Sequence, residues 1–177
     1  PPAQCSRRPR SAGGSLRVGR AKQLPPRDGE TLVHRAARLA LESGAASVVV
    51  VTGAREAEVA AALHDLSSCE TGDVQCVWNA AWASGMASSL AAADLLHDFD
   101  GPVLVLVTDQ PALEATHLQR LLAGARSSSS RCAATRHGDS VGVPAVVTAA
   151  MLAHAHRLQG GGGLGAQLTA MQDVWVL

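Results

Sequence analysis

The chain has 177 residues, enough for one domain with a substantial core and short of two of ordinary size. Fifteen basic residues balance fifteen acidic ones, which excludes a global field for nucleic acid or an anionic membrane surface, so any anion site must be local. Apolar residues make up 47% of the chain but aromatics only 2%, so the core must be built from Ala, Val and Leu, side chains small enough for close helix-on-sheet packing.

Cys5, Cys69, Cys76 and Cys132 form no CxxC pair and no dense framework, the usage expected of reduced thiols in a cytoplasmic protein rather than a disulfide scaffold or zinc site. No run approaches the ~20 apolar residues of a membrane span. The opening "PPAQCSRRPRSAGGS" lacks the apolar stretch of a secretory signal. The expected location is the cytoplasm.

In chain order, "ETLVHRAARLALESG" puts Leu32, Ala36, Leu39 and Ala40 at helical spacing with Gly44 as the stop. "ASVVVVTG" is a continuous β-branched run, the pattern of a strand covered on both faces, and "REAEVAAALHDL" returns to helical spacing. A strand "VQCVW", a loop "NAAWAS", a helix from about Gly85 to His97 and a strand "PVLVLVT" follow. Beyond "DQP" the pattern predicts a helix over Glu114 to Ala125, a polar turn "SSSSR" and a weaker strand "CAATRH". Strand "PAVV", helix "TAAMLAHAHRL", a mobile loop over the glycines at 160–163, a short helix near Gly165 to Met171 and a last strand "VWVL" complete the chain. This alternation predicts a three-layer α/β/α sandwich with a Rossmann-like, mostly parallel sheet. Ligands of such sheets sit beyond the carboxyl ends of the strands, so the loops after the strands are where function is expected.

Three loops there can carry chemistry. Asp109 ends the apolar strand "PVLVLVT" and opens "DQP"; an ionised carboxylate there either holds Mg²⁺, a hard cation that takes one or two carboxylates plus phosphate oxygens, or caps the next turn. In "NAAWASGMASSL", Asn79 to Leu90, Gly85 lets backbone approach a ligand and the N–H groups of Met86, Ala87 and Ser88 favour negative charge, while Asn79 could read a base or ribose edge; the alternative is a plain helix start capped by Ser84. In "SAGGSLRVGRAKQL", Gly13 and Gly14 permit a tight backbone cradle to which Arg17 and Lys22 bring positive charge, although Gln23 after Lys22 excludes a Walker loop and a basic tail would look the same. The seven histidines are expected on solvated helix faces or, for His137, in a turn, and His154 and His156 point apart on a helix, against a metal site.

Taken in order, "AGGSLRVGRAKQL", "NAAWASGMASSL", "LVTDQP" and "GVPAVV" resemble the molybdenum cofactor cytidylyltransferases and the wider MobA-like NTP transferases, over about Ala12 to Leu177. The resemblance implies a nucleotide-diphospho-sugar transferase type of fold, with residues 1–11 an atypical polar segment and residues 12–177 one domain, expected to be incomplete at both ends. It implies that Ala12, Gly13, Gly14 and Ser15 run along the base and phosphates of a nucleotide, with Arg17 and Lys22 neutralising the triphosphate and leaving pyrophosphate. Thr52 and Gly53 would line the nucleoside pocket, Asn79, Gly85 and Ser89 would complete it, and Asp109 would hold Mg²⁺. The implied reaction is transfer of CMP from CTP to a molybdopterin-type acceptor, with a molybdoenzyme as a further partner. The alternatives are a guanylyltransferase or other NTP transferase of the same fold, or a non-catalytic nucleotide-binding maturation protein.

Three features depart from the family pattern. The apolar strand with which relatives open, the central one, is not visible in "PPAQCSRRPRS". Gly161 and Gln167 stand in "GGGGLGAQL" where relatives carry an aspartate and an arginine, and the chain stops at Leu177 before the family's short acidic closing segment.

Overall fold

The computed structural model describes residues 10–12, 26–27, 29–67, 73–93, 101–155 and 163–177. Strand β1 (Arg10–Ala12) comes first, then a two-stranded ribbon of β2 (Pro26–Arg27) and β3 (Glu30–Thr31), helix α1 (Leu32–Glu42), strand β4 (Ser47–Thr52) and the short helices α2 (Glu56–Ala62) and α3 (His64–Ser67). Strand β5 (Asp73–Trp78), helix α4 (Met86–Ala93), strand β6 (Pro102–Leu106) and helix α5 (Ala115–Ser127) follow. The chain closes with β7 (Ala133–His137), β8 (Ser140–Thr148), α6 (Ala149–Ala155), α7 (Leu164–Ala170) and β9 (Trp175–Val176).

The main sheet runs β5-β4-β1-β6-β8-β7-β9. Strands β5, β4, β1 and β6 are mutually parallel, β8 lies antiparallel between β6 and β7, and β9 runs parallel to β7. The mostly parallel α/β sheet expected from the alternating pattern is therefore present.

The missing first strand is corrected by the structure. Arg10 pairs with Val49 and Val105, and Ser11 with Val50 and Leu106, so a strand with almost no apolar residue occupies the centre of the sheet. Pairing on both sides supplies the backbone ladder bonds that hold this sequence of weak β-formers as a strand.

Strand β4 shows why the apolar runs become strands. Val48 and Val50 face one core cluster with α1, α2, α3 and α5, while Val49 and Val51 face the other with α4, α6 and α7. All four are at most 3% exposed. Burying one such side chain is worth about 1.5–3 kcal/mol, against roughly 1 kcal/mol for the whole span of strand propensity, so burial on both faces decides this element.

Helix α1 is set by its cap. Thr31 holds an extended backbone and its Oγ1 accepts the His34 N–H at 3.3 Å, while Val33, Ala36, Ala37, Leu39 and Ala40 form its buried face. The single helix expected over "REAEVAAALHDL" breaks at Leu63, which is fully buried. The strand expected as "PAVV" is longer, because β7 and β8 form a hairpin through His137–Ser140. His137 thus ends a strand instead of lying in a turn. The expected helix ends at His97 and over "HRL", and the glycines at 160–162, lie outside the described residues. Among the described residues no helix is long and apolar enough to cross a membrane.

Candidate functional site at the carboxyl edge of the sheet

The parallel strands deliver the sequence-selected residues to one edge. Ala12 ends β1 opposite Val51, Thr52 ends β4 opposite Trp78, and Asn79 follows β5 directly. Asp109 comes three residues after the end of β6, the other neighbour of β1. Ala12, Thr52, Gly53, Asn79 and Asp109 therefore line up on four adjacent strands, as ligand sites in such sheets require. Gly13, Gly14, Ser15, Arg17 and Lys22 lie outside the described residues.

Thr52 and Asn79 are tied together through backbone and side chain. The Asn79 N–H donates to Thr52 O at 2.8 Å, and Thr52 Oγ1 donates to Val77 O at 3.3 Å. Asn79 is 5% exposed and its carboxamide is spent inside the chain: Nδ2 donates to Ser88 Oγ at 2.9 Å and Ser89 Oγ at 3.3 Å, and Oδ1 accepts the Ala81 N–H at 2.9 Å. A buried amide so fully paired fixes the loop against helix α4. Asn79 thus shapes the loop and links Thr52 to Ser89.

The loop Asn79–Gly85 is a tight 3₁₀ turn over Trp82–Ser84 followed by Gly85 at φ +110°, a conformation reserved for glycine. The Ser84 hydroxyl donates to Ala81 O at 2.7 Å, so Ser84 does not cap helix α4. Ser88 Oγ instead lies 2.7 Å from Gly85 O and 2.9 Å from Ala81 O, folding the first turn of α4 back onto the loop. Gly53 lies under the Trp82 ring: a Cβ on it would stand 2.6 Å from Trp82 Cβ and Cγ. Trp78 and Met86 are the exposed large apolar side chains of this edge, 58% and 44% accessible.

Asp109 is exposed, and no cluster of three or more His, Cys, Asp or Glu occurs among the described residues. A lone strand-end carboxylate open to solvent fits Mg²⁺, which keeps most of its shell as water and phosphate oxygen; it does not fit a metal caged by protein ligands.

On the far side of Asp109 the loop leads into a cavity of about 400 Å³ between the start of α5 and the β7–β8 hairpin, lined by Gln110, His117, Thr135, His137 and Pro144 among others. His117 is not on a solvated face: it bonds Thr135 at 2.8 Å, and burial, with Arg120 and His137 nearby, pushes its pKa down. Only the "DQP" and "GVP" stretches hinted at this place, because it forms from segments that the hairpin brings together.

A second feature lies on α1. His34 sits between Glu30 and Asp65, with Nε2 at 2.9 Å from Asp65 Oδ2 and Nδ1 against Glu30, and Arg38 clamps Glu30 through Nε and the terminal nitrogen at 2.9 and 2.8 Å. The Arg38 hydrogen bond, helped by His34 against the cost of burial, holds the Glu30 carboxyl down to about 2. Burial opposes the charge on His34, but the bonds from Asp65 and Glu30 outweigh it and raise its pKa.

The fold has solved counterparts. The structure superposes on that of Rv0371c from Mycobacterium tuberculosis H37Rv with a TM-score of 0.69 at 22% identity, over 97% of this chain and 88% of that one. It also matches a nucleotidyl transferase from Methanothermobacter thermautotroptrophicus with a TM-score of 0.71 at 24% identity, over 90% and 79% of the two chains. A structure of Rv0371C solved in complex with manganese matches at a TM-score of 0.67 and 21% identity, over 95% and 84%. In sequence, the nicotine blue oxidoreductase of Paenarthrobacter nicotinovorans is 35% identical over 173 residues, 94% of this chain and 81% of that protein. The MobA-like NTP transferase domain matches residues 11–174, and the chain belongs to that family of nucleotidyltransferases.

Proposed function

We propose that the chain is a Mg²⁺-dependent cytidylyltransferase that moves CMP from CTP to a molybdopterin-type acceptor in the cytoplasm, with a molybdoenzyme as the destination of the product. The observation that carries this reading is the convergence of Ala12, Thr52, Gly53, Asn79 and Asp109 on one carboxyl edge, in the order that the ordered motifs imply. A phosphate oxygen of the acceptor attacks the α-phosphorus of CTP, the bond from that phosphorus to the bridging oxygen breaks, and pyrophosphate leaves. Little covalent chemistry is asked of the protein, so positioning and charge neutralisation supply the rate.

In this reading Ala12, Gly13, Gly14 and Ser15 follow base and phosphates, and Arg17 and Lys22 neutralise the triphosphate. Thr52 and Gly53 form the floor of the nucleoside pocket, and Asn79 and Ser89 hold its wall in shape. Gly85 leads into the α4 N-terminus, whose dipole favours phosphate. Asp109 holds the Mg²⁺, which when bound draws charge from the phosphate oxygens. Pyrophosphate release from CTP in the presence of molybdenum cofactor tests the proposal. Folded protein that releases none from any NTP contradicts it, and Lys22→Ala is expected to lower turnover while leaving the melting temperature in place.

The 35% identity to a protein named nicotine blue oxidoreductase favours a second reading, a redox reaction on a related pigment with the same edge as its binding site. Loss of the pigment's visible absorbance with a reduced nicotinamide nucleotide as electron donor, and no pyrophosphate release with CTP, would select it.

A further inference from the structure

Arg35 of helix α1 crosses to the loop that follows Asp109. Its Nη2 donates to Leu113 O at 2.9 Å, a bond between residues 78 apart in the chain. Arg38 and Arg55 are spent on carboxylates, whereas the acceptor that Arg35 finds among the described residues is a backbone carbonyl. Its Nε is buried without a partner among the described residues. A buried N–H left so is destabilising, and an apolar side chain would pack there without that cost. Arg35 is therefore better explained by where it holds Leu113 than by what it adds to stability.

Leu113 closes a tight turn. Its N–H donates to Gln110 O at 3.2 Å, which joins residues 110–113 into one piece, and Glu114 then starts α5 with no side-chain cap bond. At the other end of the turn Gln110 Nε2 donates to Val143 O of strand β8 at 3.0 Å. The turn is thus pinned twice, to α1 through Arg35 and to the sheet through Gln110. Asp109 is the residue directly before this pinned piece. It is exposed, so no packing holds its carboxylate, whose position follows from the backbone on either side.

We infer that Arg35 is a positioning residue for the metal contact of Asp109: through Leu113 O it sets the turn after Asp109, and so the place from which the carboxylate reaches Mg²⁺. Gln110 is the second pin of the same device. The inference rests on the reading of Asp109 as the metal residue of nucleotidyl transfer. Functional groups must be held within about 0.5 Å of the productive geometry, and a misplacement of about 1 Å caused far from the chemistry can cost ~10²-fold. Arg35 acts without touching nucleotide or metal.

The test measures Mn²⁺ uptake by the full chain with CTP present, by electron paramagnetic resonance, in a double-mutant cycle of Arg35→Met and Asp109→Asn. Arg35→Met is expected to weaken Mn²⁺ ~10-fold or more and to slow Mg²⁺-supported pyrophosphate release by roughly 10–100-fold. In the Asp109→Asn background the same change is expected to alter Mn²⁺ affinity by less than about twofold, since the carboxylate it acts through is already gone. Arg35→Lys keeps a donor for Leu113 O and is expected to recover most of the loss. Gln110→Met, at the other pin, is expected to reproduce the loss, and these two variants run the same cycle if Arg35→Met does not fold. Unchanged Mn²⁺ affinity in folded Arg35→Met, an equal loss in both backgrounds, Arg35→Lys as impaired as Arg35→Met, or Mn²⁺ uptake that ignores Asp109 would each overturn the assignment. Mn²⁺ uptake that depends on Asp109 and Arg35 as expected, with no pyrophosphate released by the wild type, would uphold the positioning role and remove nucleotidyl transfer; pyrophosphate release with Mn²⁺ affinity insensitive to Arg35 would do the reverse.

Discussion

Gly53 and Trp82 are in such close apposition that a single added Cβ on the glycine would stand 2.6 Å from Trp82 Cβ and Cγ. The contact presses the loop after β5 onto the end of β4, and it ties two separate motifs of the sequence into one wall. Gly53→Ala must displace the Trp82 side chain or its backbone, since a real Cβ essentially never comes so near. The expected cost is about 1–3 kcal/mol by urea denaturation, with CTP affinity lowered at least as strongly as stability.

Asn79→Ala removes three polar contacts at once: the Ala81 N–H loses its acceptor, and Ser88 and Ser89 lose a donor. Because Asn79 is buried, the stranded Ala81 N–H dominates, and a loss of about 1–3 kcal/mol is expected. Thermal unfolding checks the cost, and CTP titration checks that a loosened wall binds nucleotide less well. An unchanged melting temperature would mean that the loop holds its shape without the amide.

The Glu30, His34 and Arg38 cluster gives stability a pH dependence on both sides. Glu30 is depressed from 4.5 to about 2, so its contribution is complete above its unfolded value and disappears as pH falls from about 4.5 to about 2, with a ceiling of about 3 kcal/mol. His34 is raised above 6.5, so its contribution is complete below 6.5 and disappears as pH rises through the higher folded value. Melting temperatures are expected to peak between these limbs. Glu30→Gln should flatten the acid limb and His34→Gln the alkaline one; a variant with the wild-type profile would contradict the assignment for its residue.

Much of this architecture was legible in local pattern because burial on two faces writes a continuous β-branched run, as in Ser47–Thr52, and burial on one face writes helical spacing, as in Leu32–Glu42. Strand β1 was not, since Arg10, Ser11 and Ala12 carry no apolar signal and their place is secured by ladders to β4 and β6. The direction of β8 was equally hidden, because an apolar run reads the same in parallel and antiparallel sheets. The loops after β4, β5 and β6 were found from glycines and a strand-end aspartate, whereas the interior saturation of Asn79 depends on serines nine and ten residues away. His117 and Thr135 are 18 residues apart and meet only through the hairpin, so no spacing rule could pair them.

Whether the carboxyl edge holds CTP and its metal through Asp109, as proposed, is measured most directly by comparing pyrophosphate release by the wild type and Asp109→Asn with CTP, Mg²⁺ and molybdenum cofactor. Because Asp109 is exposed, the variant is expected to melt as the wild type does. Its turnover is expected to fall by roughly 10²–10³, the usual consequence of removing one preorganised charge-stabilising contact from a transition state. A folded Asp109→Asn protein that releases pyrophosphate at the wild-type rate would contradict the account.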